Sequence, residues 1–252
     1  VGPRLLFKNN RYGHARQLRR QRRTTAKLKT VLGRVYRHLK RRLAEQPESV
    51  QAAFAEPMAL TKRLLDQQRH DKRKLYALHA PEVECIAKGK AHKRYEFGVK
   101  VSIATTNRAN LVVGAMSLPG NPYDGHTLGS ALQQVERLTR QRPERCYVDL
   151  GFRGHDVTNV EVFKARQKRG ITGSIRRELK RRNAIEPIIG HMKNDGLMDR
   201  NYLKGSQGYA INVILCGAAQ NLRLILRHLR IFCRRIWQAF IPNPLLNSPC
   251  TA

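Results

Sequence analysis

The sequence predicts an α/β fold: a mixed sheet with flanking helices, preceded by a basic helical arm. Three observations carry this reading. Tyr95–Thr106 alternates in character and is rich in β-branched side chains, and after a short turn a second apolar run follows it. Helix-like and strand-like segments then succeed one another along the chain. The first 46 residues instead hold 15 Lys or Arg and one acid, Glu45, laid on a helical period.

Residues 14–43 form the strongest helical pattern, with Leu18, Leu28, Val31, Leu32, Val35, Leu39 and Leu43 as its apolar stripe. Arg19, Arg20, Arg22, Arg23, Lys27, Lys29, Arg34, Arg37, Lys40, Arg41 and Arg42 stand between them as a basic ridge. Pro47 and Pro57 mark a break, and a second helix is expected over Met58–Gln68. The strand at Tyr95–Thr106 turns at 107–110 and returns over Leu111–Leu118. Asp124 is placed to cap a helix reaching Thr139. Arg145–Leu150 reads as the next strand, Asp156 or Thr158 as the cap of a helix to Lys168, and Ile171–Ile175 as a further strand. Helices are expected over Glu178–Asn194 and Gly208–Trp237. The chain thus divides into a basic helical contact region at 1–74, an α/β region at 75–241 and a loose tail at 242–252.

Charge narrows the class of partner. Against 49 Lys and Arg stand 18 Asp and Glu, a net +31. A polyanion would relieve this self-repulsion and release counterions, so nucleic acid leads. The five cysteines form no Cys-x-x-Cys pair, which indicates neither a zinc finger nor a disulfide framework and fits a reduced, cytoplasmic setting. The apolar stretch Tyr209–Ala219 is too short to span a bilayer, and no secretory signal is read at the start.

In so basic a chain, acids held in apolar context stand out. Asp149 ends an apolar run and opens a glycine turn, Asp-Leu-Gly-Phe-Arg-Gly. Glu186 lies early in a helix on which Ile185, Ile188, Ile189 and Met192 form the buried stripe, with Glu186, Gly190 and Lys193 on the neighbouring face. Two carboxylates could share a hard divalent cation such as Mg²⁺, while nearby Arg and Lys attract phosphate. The residues alone leave another reading open, in which Asp149 satisfies the Gly151–Gly154 turn and Glu186 pairs with Arg182. Arg153 and His155, in the same turn, either contact phosphate or stay solvated.

The segments Leu75–His92, Tyr95–Lys100, Gly120–Leu128, Val148–His155, Arg181–Lys193 and Asp199–Gly205 resemble, in this order, those of DDE transposases of bacterial insertion sequences, in the insertion-sequence-five group. The resemblance implies a ribonuclease-H-like fold and metal-dependent strand cleavage and strand transfer at transposon ends. It makes Asp149 and Glu186 the second and third acids of a catalytic triad, holding Mg²⁺ or Mn²⁺. It places the first acid on an earlier strand, so the chain corresponds to a carboxy-terminal portion with an incomplete site and impaired catalysis. An inactive remnant or a non-catalytic DNA-binding regulator is the alternative. The implied partners are double-stranded DNA at transposon ends and a further copy or full-length transposase, with no membrane and a nucleoid-associated location.

Other clusters read more plainly. His79, Glu82, Glu84, Cys85 and His92 match no closed zinc spacing and are expected to serve the surface or packing. Asn121, Asp124 and His126 form a turn and cap, or else line the cleft.

Overall fold

The computed structural model describes residues 2–68, 70–72, 74–87 and 95–240; His92, Cys250 and the tail expected at 242–252 lie outside them. The chain divides into two units, Val1–Gly98 and Val99–Ala252.

The first unit opens with α1 (Gly2–His14), α2 (Leu18–Ala44) and α3 (Glu48–Asp66). Residues 14–43 are therefore not one helix: Arg16 takes a positive φ of 54° and separates α1 from α2. Asn9 and Thr25 hydrogen-bond between these two helices at 3.0 Å. α3 runs through Pro57 rather than starting after it, with Pro47 as its N-cap. Lys29 of α2 donates to the carbonyls of Leu65 (3.3 Å) and Gln67 (2.9 Å), capping the carboxyl end of α3 with a cation where the helix dipole favours one. The Gln67 carboxamide holds both backbone groups of Leu75, whose side chain is buried. β1 (Glu84–Ala87) and β2 (Tyr95–Gly98) pair antiparallel, and Phe97 meets Tyr76.

The second unit contains β3 (Lys100–Thr105), β4 (Val112–Leu118), α4 (Asp124–Thr139), β5 (Arg145–Val148), β6 (Glu161–Lys164), α5 (Gly173–Arg181), α6 (Ile185–Asn194) and α7 (Gly205–Phe240). β3 and β4 are the expected antiparallel hairpin, turned by Asn110 at φ 58°, a conformation Asn tolerates. β5 and β6 pair parallel. The result is an α/β fold of small antiparallel and parallel sheets with flanking helices. Among the described residues the strands pair two by two, and no ladder joins them into one mixed sheet.

Two expected elements change type. The helix expected up to Lys168 is instead β6, because Val162 and Phe163 are good strand formers and find β5 as a partner; Phe163 stacks on Tyr147 at 5.6 Å. The strand expected at Ile171–Ile175 is the start of α5, where the Thr172 side chain accepts from the Ile175 amide at 3.4 Å as N-cap. The helix expected over Glu178–Asn194 is interrupted by a tight 3₁₀ turn at Arg182–Ala184. Pro187 accounts for this, since it has no N–H for the carbonyl of Asn183 four residues back and its ring crowds that carbonyl.

β4 organises the packing. Residue pairing skips Val113, a bulge, and backbone groups of β4 are taken by side-chain amides. Asn221 of α7 bonds the Val112 N–H (2.7 Å) and C=O (2.8 Å), and Gln134 of α4 bonds the Ala115 N–H (2.8 Å) and C=O (3.0 Å). Each carboxamide thus does what a neighbouring strand would. Val112, Ala115, Ile188, Met192, Val213 and Cys216 form the core beneath. Gly217 lets α7 approach, since a Cβ there would lie 3.1 Å from Val112 Cγ1. Asn221→Leu leaves two backbone groups without partners, and a loss of about 1–3 kcal/mol is expected in urea unfolding. An unchanged midpoint would contradict the clasp.

A polar cluster ties α5 to β5. The Tyr147 hydroxyl donates to Glu178 Oε2, and Arg145 lies 3.7 Å from the same oxygen. Burial, then the bond to Glu178, pushes the Tyr147 phenol up to about 12. The bond from Tyr147, with nearby arginines, holds the Glu178 carboxyl below its ordinary 4.5. A depressed carboxyl stabilises the fold above its unfolded value and ceases to do so as pH falls through its folded value. Glu178→Gln is therefore expected to flatten the acid limb of Tm against pH below about 4.5; superimposable limbs would contradict this.

α7 is one continuous helix extending well beyond Tyr209–Ala219. By length and composition alone it is apolar enough to cross a membrane, a test that a core helix of a soluble protein also passes.

Candidate functional site

Asp149 follows β5 and precedes a single 3₁₀ turn, Leu150–Phe152. Its backbone carbonyl accepts from Phe152 N–H at 3.2 Å, while its side chain makes no capping bond to the turn. The carboxylate is held by Arg182, Nη2 to Oδ1 at 2.5 Å, with the Arg182 side chain 11% exposed and that of Asp149 64% exposed. Arg182 therefore pairs with Asp149, not with Glu186. The 3₁₀ turn imposed by Pro187 is the segment that carries Arg182.

A second acid comes close by. Asp124 Oδ2 lies 2.5 Å from where a Cβ on Gly151 would sit, so Gly151 is the residue type that admits it. Asp124 does not cap α4; Tyr123 is the N-cap residue, and the Asp124 carboxylate binds Lys100 at 2.7 Å. Lys100 also donates to the Pro122 carbonyl at 2.7 Å. The Tyr123 hydroxyl donates to the Arg153 carbonyl at 2.8 Å, which fixes the 149–154 turn against α4. Sequence reasoning missed Lys100, and it paired Arg182 with Glu186 instead of Asp149. Only the Gly-containing turn signalled that something approaches it.

Asp149 in the turn and Asp124 at the start of α4 are thus both paired with protein cations. Glu186 is exposed in the first turn of α6, Gly190 faces open space, and Lys193 is half-buried. Among the described residues no three His, Cys, Asp or Glu side chains come together as a set that could hold a metal ion. The expected Mg²⁺ or Mn²⁺ site at Asp149 and Glu186 is corrected accordingly: the donor set does not fit, and a guanidinium supplies the charge that a cation would bring. With it falls the expectation of a DDE catalytic domain and of metal-dependent strand cleavage and strand transfer by this chain. His79, Glu82, Glu84 and Cys85 likewise form no such set.

The other residues of the turn differ in access. Arg153 is exposed, whereas His155 is half-buried with Nδ1 enclosed and without a hydrogen-bond partner. His126 lines a separate cleft of about 240 Å³ with Glu136, Arg142 and Asp156 among its walls.

The basic surface is the larger feature. α2 contains no acid, and Arg19, Arg20, Arg22, Arg23, Lys27 and Arg34 are all exposed. Arg20 also bonds Gln17 at 3.0 Å and lies 6.0 Å over the Tyr12 ring. Helical geometry aligns Arg23, Lys27, Arg34, Arg37 and Arg41 in one straight stripe about 27 Å long. The half-buried Leu28, Leu32 and Leu43 occupy the opposite side. Arg37 and Arg41, members of the basic ridge read from the sequence, complete this line. The Thr24 hydroxyl, buried on α2, returns to the Arg20 carbonyl and takes no part in the stripe.

No protein-family model, no curated protein and no solved structure matches the chain.

Proposed function

We propose that the chain is a non-catalytic double-stranded-DNA-binding protein of transposase descent, acting on duplex through backbone phosphates. The observation that supports this is the exposed basic stripe of α2, a helix that contains no acid. Five cations along about 27 Å can neutralise successive phosphates, and each releases condensed counterions. Such contacts position a protein on DNA without reading sequence. Descent from DDE transposases, with their ribonuclease-H-like fold, rests on the ordered motifs from Leu75 to Gly205. In this reading the Asp149–Arg182 pair is a structural remnant of the acidic turn, and duplex in the nucleoid, transposon ends included, is the target. The chain then acts as a regulator that competes for duplex with a catalytically competent transposase.

Titration of a labelled duplex over a salt series tests the proposal. Five phosphate contacts give a slope of log K against log salt near −4.5, or about 500-fold weaker binding at 200 mM than at 50 mM. A slope near zero would contradict it.

A further inference from the structure

The stripe of α7 that faces away from its own core points to a second copy of this chain. Val213, Cys216, Gly217, Gln220 and Asn221 face β4 and the core. On the opposite side, spacings of four and three repeat without interruption from Ile211 to Ala239. In heptad terms Leu215, Leu222, Leu229 and Ile236 are a positions. The d positions are Ile211, Ala218, Ile225, Phe232 and Ala239. The large side chains among them are 42–61% exposed, although each is apolar. We infer that chains self-associate by pairing α7 along this seam.

Charge placement selects the occupant. Arg223 and Arg230 fall at b and Arg227 and Arg234 at f, positions that point away from a coiled-coil partner. A second copy can therefore approach despite the +31 of each chain. Parallel pairing sets His228 at g against Cys233 of the other copy, and Arg235 at g against Phe240, a cation–π contact. Antiparallel pairing instead sets Arg235 against His228. Area is sufficient as well. With the flanking Ile214, Leu226 and Phe240, about ten large apolar side chains per chain offer on the order of 60–100 Å² each, hence roughly 1,200–2,000 Å² over two copies, the size of a specific interface.

Sedimentation equilibrium of the nuclease-treated full chain at about 50 μM, in salt high enough to screen residual nucleic acid, tests the seam. The expected mass is a multiple of 28.9 kDa. Leu222→Glu with Leu229→Glu is expected to reduce it to a single chain while Arg227→Glu with Arg234→Glu preserves the multiple. A wild-type monomer, or a multimer that survives the seam substitutions, would overturn the inference. A monomer that floats with phosphatidylglycerol vesicles would overturn it in favour of a membrane surface. Should the seam variant lose its helical circular dichroism, the wild type alone decides: Tm rises with protein concentration if copies pair, and concentration-independent Tm overturns the pairing.

Discussion

Replacing Lys27, Arg34 and Arg41 with glutamate is expected to weaken duplex binding by at least about 100-fold at physiological salt. The three side chains lie on the exposed line of α2, so the change removes phosphate contacts and puts like charge against the duplex. It leaves the apolar side of α2 untouched, and glutamate is as good a helix former as lysine or arginine. The helical circular dichroism should therefore persist. Single substitutions to alanine should each lower the magnitude of the salt slope by about 1, without regard to DNA sequence. Affinity within about threefold of wild type for the triple variant would remove α2 as the contact surface.

Met192→Ala is expected to cost about 2–5 kcal/mol, the largest single effect on stability. Met192 is fully buried where α6 meets the core of β4 and α7, and its carbonyl accepts from the Met198 N–H at 3.0 Å. A Cβ on Gly196 would lie 2.5 Å from that carbonyl oxygen, so the chain folds tightly around this residue and has little room to collapse into a cavity. The loss corresponds to a fall in Tm of roughly 5–15 °C by calorimetry. A change of less than about 1 kcal/mol would mean that the site relaxes, and that the core lies elsewhere.

What was legible in the sequence was what local pattern decides. The hairpin of β3 and β4 was plain from alternation and its turn residues, and α4 spans Asp124–Thr139 as expected. α2 was readable from its apolar period, because nothing in the chain competes with it. Segments decided by partners were not legible. β6 has a short apolar run that suits helix or strand, and β5 beside it settled the matter. Pro57 was read as a boundary, yet the turns on either side of it hold α3 together. At the acidic turn, spacing brought the right elements into view but not the pairing. Arg182 lies four residues before Glu186, which suggested a bond along one helix; the kink ahead of Pro187 instead directs it to Asp149. Opposite charges within one turn of a helix are weak attractors, and a carboxylate from another element displaced the local partner.

The claim that the chain binds DNA without cutting it is tested most directly by incubating end-labelled duplex with wild type and with an Asp149→Ala, Glu186→Ala variant in the presence of Mg²⁺, and resolving bound and cleaved species together. The expected result is intact, retarded duplex with equal affinity for both proteins. A cleaved product made by the wild type and absent from the variant would contradict the account.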